Sequence, residues 1–166
     1  MYNIKILIVG GGKMGISHAA LFSAYVGVSN VVICEKNMLT RWLLKRLGFK
    51  VIKNLIFKND KFDAVIVCTP TPYHFEITKW AISEGYHVFV EKPLTLSSNK
   101  SKELATLSQS FNNHFQVGFV LRYLQTVRKL KKIIENKKYG NVLKYDAKML
   151  GNVINSNTSA SSWLTD

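Results

Sequence analysis

The stretch Ile4–Gly15, with the sequence IKILIVGGGKMG, constrains the fold of this chain more than any other part of it. Residues 4–9 are mostly apolar and β-branched, which is typical of a strand buried on both faces of a parallel sheet. The strand leads directly into three glycines spaced as G-x-G-x-x-G, and a helical pattern follows them. The stretch therefore predicts a strand, a glycine-rich turn and a helix in immediate succession.

The three glycines of this turn have distinct physical roles. Gly10 allows the tight turn, Gly12 lets the backbone approach a pyrophosphate, and Gly15 lets the helix pack closely on the strand. The N–H groups and the positive dipole end of the helix face the phosphates. A second predicted strand, Asn30–Cys34, ends at Glu35, about 20 residues beyond the last glycine, where an acid hydrogen-bonds the adenosine ribose. This context favours dinucleotide binding over the alternative, a glycine-rich turn of another α/β protein with Glu35 as a solvated strand end.

Strands and helices continue to alternate after Glu35. Right-handed crossovers then give an α/β fold, a doubly wound parallel sheet with helices on both faces. Ligands of such sheets bind at the carboxyl ends of the strands, where the glycine loop, Glu35, residues 69–74, Glu91 and Lys92 all fall. The predicted elements are helix Leu39–Leu47, strand Phe49–Ile52, strand Ala64–Cys68, helix Tyr73–Glu84, strand His87–Val90, helix Ser97–Ser110 and strand Phe115–Gly118.

The length of 166 residues allows one good core with a small appendage. We expect the first domain to cover residues 1–120 and the incomplete start of a second, α+β domain to cover residues 121–166. The second region contains a basic helix, a predicted strand at Asn141–Met149 and a Ser/Asn-rich tail, which cannot bury a core of their own. No apolar run reaches the length of a membrane span, and a core strand near the start leaves no room for a signal peptide. We therefore expect a cytoplasmic protein without a membrane partner.

The net charge of +13 raises the question of nucleic-acid binding. The densest basic group, residues 128–138, lies on or just after a predicted amphipathic helix, so it is expected to form the solvated face of that helix. No nucleic-acid module accompanies it, and we expect no nucleic-acid partner. The alternative explanation of the positive charge is that it attracts an anionic substrate such as a sugar nucleotide. The apolar positions of the predicted helix are Leu121, Leu124, Val127, Leu130 and Ile134.

The cysteines and histidines add little specific chemistry. Cys34 and Cys68 end strands that flank the first strand, about 10 Å apart, which is too far for a disulfide, so both are expected to be reduced. His74 opens a helix, where it either takes part in the site or caps and packs. The remaining histidines show no partner pattern and are expected to be structural or exposed; they are His18, His87 and His114.

Five motifs together resemble the glucose-fructose oxidoreductase/inositol dehydrogenase family of NAD(P)-dependent oxidoreductases, and the resemblance covers essentially the whole chain. They are GGGKMG at 10–15, Glu35, CTPTPYH at 68–74, EKP at 91–93 and VGFVLRY at 117–123. The EKP tripeptide one helix after a TP…H segment is far more specific than the glycine loop. The resemblance implies a Rossmann domain, NAD as cofactor with NADP not excluded, and a sugar, polyol or sugar-nucleotide substrate.

The resemblance also implies roles for individual residues. Lys92 is the expected catalytic lysine, which polarises or deprotonates the reacting hydroxyl when burial or positive charge lowers its pKa. Glu35 holds the adenosine ribose and favours NAD, whereas Lys36 and Arg41 lie close enough to meet a 2′-phosphate. Glu91 positions the lysine or the cofactor. The other expected cofactor-binding residues are Gly10, Gly12, Lys13, Met14 and Gly15 at the pyrophosphate, Cys68, Thr69, Pro70 and His74 toward the nicotinamide ribose, and Arg122 near cofactor or substrate.

Two departures from the family pattern bear on activity. Thr71 stands where the family often has Asn, and the sequence stops at Trp163–Asp166, before the glycine-rich stretch and the second catalytic histidine that the family pattern places next. The resulting hypothesis is that the chain is the cofactor-binding half of a sugar oxidoreductase, with weak turnover or none. A homo-oligomer is a possible state of such a chain. The alternative is a non-catalytic NAD(H)-binding module or redox sensor that a partner chain completes.

Overall fold

The computed structural model, which describes residues 4–55 and 61–146, contains a six-stranded parallel sheet. The strand order is β3-β2-β1-β4-β5-β6, so the chain winds outward from β1 in both directions. This order confirms the predicted doubly wound sheet. The strands are β1 (Ile6–Val9), β2 (Val31–Cys34), β3 (Lys50–Ile52), β4 (Ala64–Val67), β5 (His87–Val90) and β6 (Phe115–Val117). The helices are α1 (Lys13–Val26), α2 (Met38–Arg46), α3 (His74–Ser83), α4 (Ser98–Gln109) and α5 (Gln125–Glu135).

Alternating side chains of β1 build two separate cores, one on each face of the sheet. Ile6 and Ile8 belong to the core that also contains Ala19 of α1 and Leu44 of α2. Leu7 and Val9 belong to the core on the other face, with side chains from α3 and α4. Every residue of β1 is therefore buried, which explains why the strand is apolar throughout instead of alternating.

Cys34 and Cys68 lie on opposite sides of β1, as predicted. Cys34 is the register partner of Val9, and the backbone N–H of Cys68 donates to the carbonyl of Val9 at 2.8 Å. Both thiols are free. Burial, with a smaller effect of Glu35, raises the pKa of Cys34 to about 11, and burial together with Glu91 raises the pKa of Cys68 to about 12.

Side-chain caps set the starts of two helices. The Asn37 Oδ1 atom accepts a hydrogen bond of 3.0 Å from the backbone N–H of Thr40, so α2 begins at Met38. Ser97 caps α4 in the same way, through the N–H of Lys100. Asn and Ser satisfy N–H groups that the first turn of a helix leaves without intrahelical partners.

The region after β6 differs from its prediction. A short 3-10 helix covers Val120–Tyr123, and the backbone of Leu124 is extended with ψ 134°, so the basic helix α5 begins only at Gln125. The apolar spacing suits both a 3-10 turn and an α-helix, and it could not reveal this break. Residues 141–146 form no strand, contrary to the predicted strand at Asn141–Met149, whose last three residues lie outside the described part. The chain divides into two compact units, Met1–Leu121 and Arg122–Asp166. Among the described helices, none has the length and apolar character needed to cross a bilayer.

Candidate functional site

The glycine loop between β1 and α1 has the tight turn at Gly10 and the close helix packing at Gly15 that the sequence predicts. Gly10 has φ +102°, and a Cβ atom there would lie 2.7 Å from the Cys68 carbonyl oxygen. A Cβ atom on Gly15 would lie 1.8 Å from the carbonyl oxygen of Gly10. These two positions are therefore restricted to glycine by the packing of the protein itself.

Gly12 lies in a different environment. A Cβ atom there would meet no described atom within 4 Å, so the fold itself leaves room for a side chain. Gly12 is also the N-cap of α1, and no side chain caps this helix start. Lys13 and Met14, both exposed, form the first turn. An uncapped helix start facing open space fits a phosphate group, which the N–H groups and the helix dipole would bind.

The Glu35 carboxylate lies beside the same loop. Its Oε2 atom accepts a hydrogen bond of 2.7 Å from the N–H of Gly11, and its Oε1 atom accepts one of 2.7 Å from the N–H of Asn37. The carboxylate therefore links the glycine loop to the turn before α2. This position at the carboxyl end of β2 is the one that the sequence predicted for an acid facing a ribose.

A cavity of about 490 Å³ opens next to Glu35. Its walls come from the carboxyl ends of four strands, which is where a doubly wound sheet binds its ligands. Thr69 and Pro70 line this same cavity together with Glu35, while their expected role toward the nicotinamide ribose stays a prediction. The buried Oγ1 atom of Thr69 has no hydrogen-bond partner among the described residues. The lining residues are Val9, Gly10, Cys34, Glu35, Lys36, Lys53, Asn54, Leu55, Thr69, Pro70, Tyr73, Glu76 and Ile77.

Lys36 and Lys53 line this cavity, and the Arg41 side chain contacts the backbone of two lining residues, Glu35 and Lys36. The Lys36 ammonium lies 5.8 Å from the centroid of the Tyr73 ring, a cation–π distance. The Arg41 guanidinium donates to the backbone carbonyl oxygens of Glu35, at 3.3 Å, and of Lys36. Lys53 follows β3, in a segment that the sequence left unassigned. Its position directly after a strand was the signal that could have identified it.

His74 connects two loops of the site. Its Nδ1 atom lies 2.8 Å from the carbonyl oxygen of Pro93, and its Nε2 atom lies 2.7 Å from that of Thr69. The imidazole is only 1% exposed. Both ring nitrogens therefore face backbone carbonyls, and His74 contributes to the site by joining the loop after β4 to the loop after β5. The sequence had left open whether it acts in the site or packs.

Glu91 and Lys92 follow β5, as predicted. Lys92 is exposed and precedes a cis peptide bond to Pro93. Within the described residues, Lys92 therefore lacks the burial on which its expected chemistry partly depended. Glu91 is partly buried, and its Oε1 atom lies 2.8 Å from Nε2 of His18 on α1. No partner was predicted for His18, although its position one helical turn after Gly15 puts it on the same side of α1.

Two further predicted site residues, Cys68 and Arg122, lie in different surroundings. Cys68 is half-buried, and its thiol belongs to the core packing of the α1 face. Arg122 belongs to the second unit, on the 3-10 helix Val120–Tyr123, and its contact with cofactor or substrate stays a prediction.

His87 and His114 are exposed neighbours at the amino edge of the sheet, where Nδ1 of His87 accepts a hydrogen bond of 2.9 Å from the backbone N–H of His114.

Several known proteins are similar to this chain in sequence and in fold. Residues 4–119 match the oxidoreductase family described by its NAD-binding Rossmann fold. Glucose-6-phosphate 3-dehydrogenase of Bacillus subtilis is 29% identical over 140 residues, which cover 84% of this chain and 40% of that protein. The crystal structure of myo-inositol 2-dehydrogenase from Lactobacillus plantarum superposes on this chain with a TM-score of 0.67 at 34% sequence identity. The match covers 81% of this chain and 41% of that protein.

A third relative was solved with ligands. Scyllo-inositol dehydrogenase from Lactobacillus casei, with bound NAD(H) and scyllo-inositol, has a TM-score of 0.68 at 27% identity, covering 82% of this chain and 42% of that one. The chain spans about two fifths of the length of these relatives. The strand order, the glycine loop and the family match agree, and the chain belongs to the glucose-fructose oxidoreductase/inositol dehydrogenase family, of which it carries the NAD-binding Rossmann domain.

Proposed function

We propose that this chain is the NAD(H)-binding part of an oxidoreductase that moves hydride between a nicotinamide and a hydroxyl-bearing carbon of a sugar, polyol or sugar nucleotide. The observation that carries the proposal is the uncapped start of α1 at Gly12, open to a ligand, beside the cavity of Glu35. The relatives described above are dehydrogenases of inositols and of a hexose phosphate, which supports the substrate class.

Different residues of this chain have different expected roles in binding and catalysis. The glycine loop and the first turn of α1 bind the pyrophosphate, and Glu35 binds the adenosine ribose. Lys92 polarises or deprotonates the reacting hydroxyl, and Glu91 positions the lysine or the cofactor. The bound nicotinamide supplies the hydride acceptor. Because a hydride-transfer site needs a closed substrate pocket as well as a proton acceptor, we propose weak turnover or none for residues 1–166 alone.

Calorimetric titration with NADH tests the proposal most directly. The wild-type chain should bind NADH, and Gly12→Val should weaken binding at least about tenfold because the new side chain fills the space for the pyrophosphate. Ala24→Val is the matched control, since Ala24 is exposed near the other end of α1. An absence of binding by the wild-type chain, or equal binding by Gly12→Val, contradicts the proposal.

The preference for NAD over NADP depends on the Glu35 carboxylate. A 2′-phosphate placed at this carboxylate is repelled, whereas Lys36 and Arg41 attract it. Glu35→Gln should therefore lower the ratio of NADH to NADPH affinity. A ratio that stays at the wild-type value shows that Glu35 does not face the ribose.

A non-catalytic NAD(H)-binding module or redox sensor completed by a partner chain is the second candidate. The exposed apolar side chains of α5, Val127, Leu130 and Ile134, favour it, because such a stripe on a helix is typical of a surface that packs against another element. Size-exclusion chromatography with light scattering separates the two candidates. A defined oligomer favours the module, and a clean monomer argues against it. Sustained dehydrogenase turnover by the chain alone contradicts both.

A further inference from the structure

The side chains of His18 and Glu91 connect two parts of the candidate site that the sequence treats separately. His18 lies on α1, just after the glycine loop, and Glu91 follows β5 and precedes Lys92. The Nε2 atom of His18 lies 2.8 Å from Oε1 of Glu91, and the two side chains are 16% and 13% exposed. Because a carboxylate only accepts hydrogen bonds, Nε2 carries the proton in this pair.

Two phenylalanines fix the orientation of the His18 ring. Phe22 stacks on it with ring centroids 6.2 Å apart and an interplanar angle of 22°. Phe89 of β5 meets it edge-on at 5.3 Å and 62°. His18 and Phe22 are four residues apart and share a face of α1. The packing therefore holds the imidazole in place and leaves its Nε2 atom directed at Glu91.

The Glu91 carboxylate lies among the carboxyl ends of the strands beyond β1. A Cβ atom on Gly118, after β6, would lie 3.4 Å from its Oε2 atom. Its negative charge contributes to the raised pKa of the thiol of Cys68, after β4. A hydrogen bond to a charged group is stronger than one between neutral groups, so a partly buried carboxylate keeps the orientation in which such a donor satisfies it. The direction of Glu91 therefore depends on the donor that His18 provides.

We propose that His18 is a positioning residue, whose Nε2–H bond holds the Glu91 carboxylate beside Lys92 and thereby sets the affinity for the nicotinamide half of the cofactor. The inference rests on the proposed function. In a doubly wound sheet the dinucleotide crosses the switch point between β1 and β4, so the half opposite Glu35 lies over β4 and β5. β5 lies two strand spacings from β1, or about 10 Å, which places Glu91 on that side of the pyrophosphate.

Two substitutions of His18 separate the hydrogen bond from the packing. His18→Phe keeps an aromatic ring between Phe22 and Phe89 and removes the donor. His18→Gln removes the ring and keeps an N–H donor near the position of Nε2. Each variant is titrated with NADH, which carries the nicotinamide, and with ADP-ribose, which does not. Thermal unfolding of each variant verifies its fold.

The proposal predicts that His18→Phe weakens NADH binding about tenfold, the effect of one hydrogen bond to a charged group, and leaves ADP-ribose affinity unchanged. His18→Gln should recover most of the NADH affinity. Equal NADH binding by His18→Phe and wild type overturns the inference, as does a parallel loss for both ligands or a failure of His18→Gln to recover affinity. If the wild-type chain binds neither ligand, the proposed function fails and this role fails with it.

Variants of Glu91 keep the inference testable if a His18 variant does not fold. Glu91→Gln should also weaken NADH binding relative to ADP-ribose, and equal NADH binding by Glu91→Gln and wild type overturns the inference. The double variant with His18→Phe should lose no more NADH affinity than the weaker-binding single variant, because the two residues act as one unit. Additive losses overturn the inference.

Discussion

The substitution Gly15→Ala should destabilise the protein strongly, although it adds only one methyl group. The ideal Cβ position at Gly15 lies 1.8 Å from the carbonyl oxygen of Gly10, far inside the 3.0 Å that real Cβ atoms keep. That oxygen cannot move aside easily, because Gly10 has φ +102° and its N–H donates to the carbonyl of Cys34 at 2.9 Å. Relief therefore requires α1 to move away from β1, which disturbs the core around Ile8 and Ala19.

The expected cost is about 3 kcal/mol or more, at the upper end of the range for overpacking a core. For a chain of this size, that cost lowers the melting temperature by about 6–12 °C. Gly12→Ala is the matched control, because its Cβ atom meets no described atom within 4 Å and the residue has φ −72°. Its cost should stay below about 1 kcal/mol, the effect of placing Ala at an N-cap.

Thermal and urea unfolding, followed by circular dichroism, measure both variants. If Gly15→Ala unfolds within about 0.5 kcal/mol of the wild type, the range of neutral surface substitutions, the contact with the Gly10 carbonyl does not restrict this position. If Gly12→Ala is as unstable as Gly15→Ala, the open space at Gly12 is absent. A difference between the variants would show that only one of these glycines is needed for folding.

Three further predictions concern the core, the thiols and a helix cap. Leu44→Ala should lower the free energy of unfolding by about 2–5 kcal/mol in urea titrations because Leu44 is fully buried. The same substitution at its neighbour Leu43, which is 48% exposed, should lower it far less. Equal losses of stability contradict the assignment of Leu44 to the core. Cys34 and Cys68, with pKa values of about 11 and 12, should react with iodoacetamide at pH 8 at least about 100-fold more slowly in the folded chain than in denaturant. Their rates should rise about tenfold per pH unit between pH 8 and 10, since the thiolate fraction grows until the pH reaches the pKa; rapid labelling of the folded chain at pH 8 contradicts the burial. Asn37→Ala should cost about 1 kcal/mol in thermal unfolding through the lost cap of α2, and an unchanged stability shows that the cap is dispensable.

The positions of single side chains could not be predicted as well as the elements that carry them. The sequence placed Glu35 at the end of β2, but it could not show that its carboxylate binds the N–H groups of Gly11 and Asn37. It also could not show that both nitrogens of His74 face backbone carbonyls. The contacts of Glu35 with Gly11 and of His74 with Pro93 join residues that are 24 and 19 positions apart in the chain, and no local pattern predicts them. The break before α5 was missed because apolar residues three or four apart suit either kind of helix.

Sequence reasoning alone predicted the parallel sheet, the glycine loop and the edge of the sheet where the candidate site lies. These follow from local rules: buried strands are apolar throughout, turns with positive φ need glycine, and parallel strands end at one edge. The folded structure was needed to show that Gly12 faces open space while Gly15 lies against Gly10, and that His18 contacts Glu91. These differences depend on how the chain packs in three dimensions, because a glycine or a histidine has the same chemistry wherever it stands in the sequence.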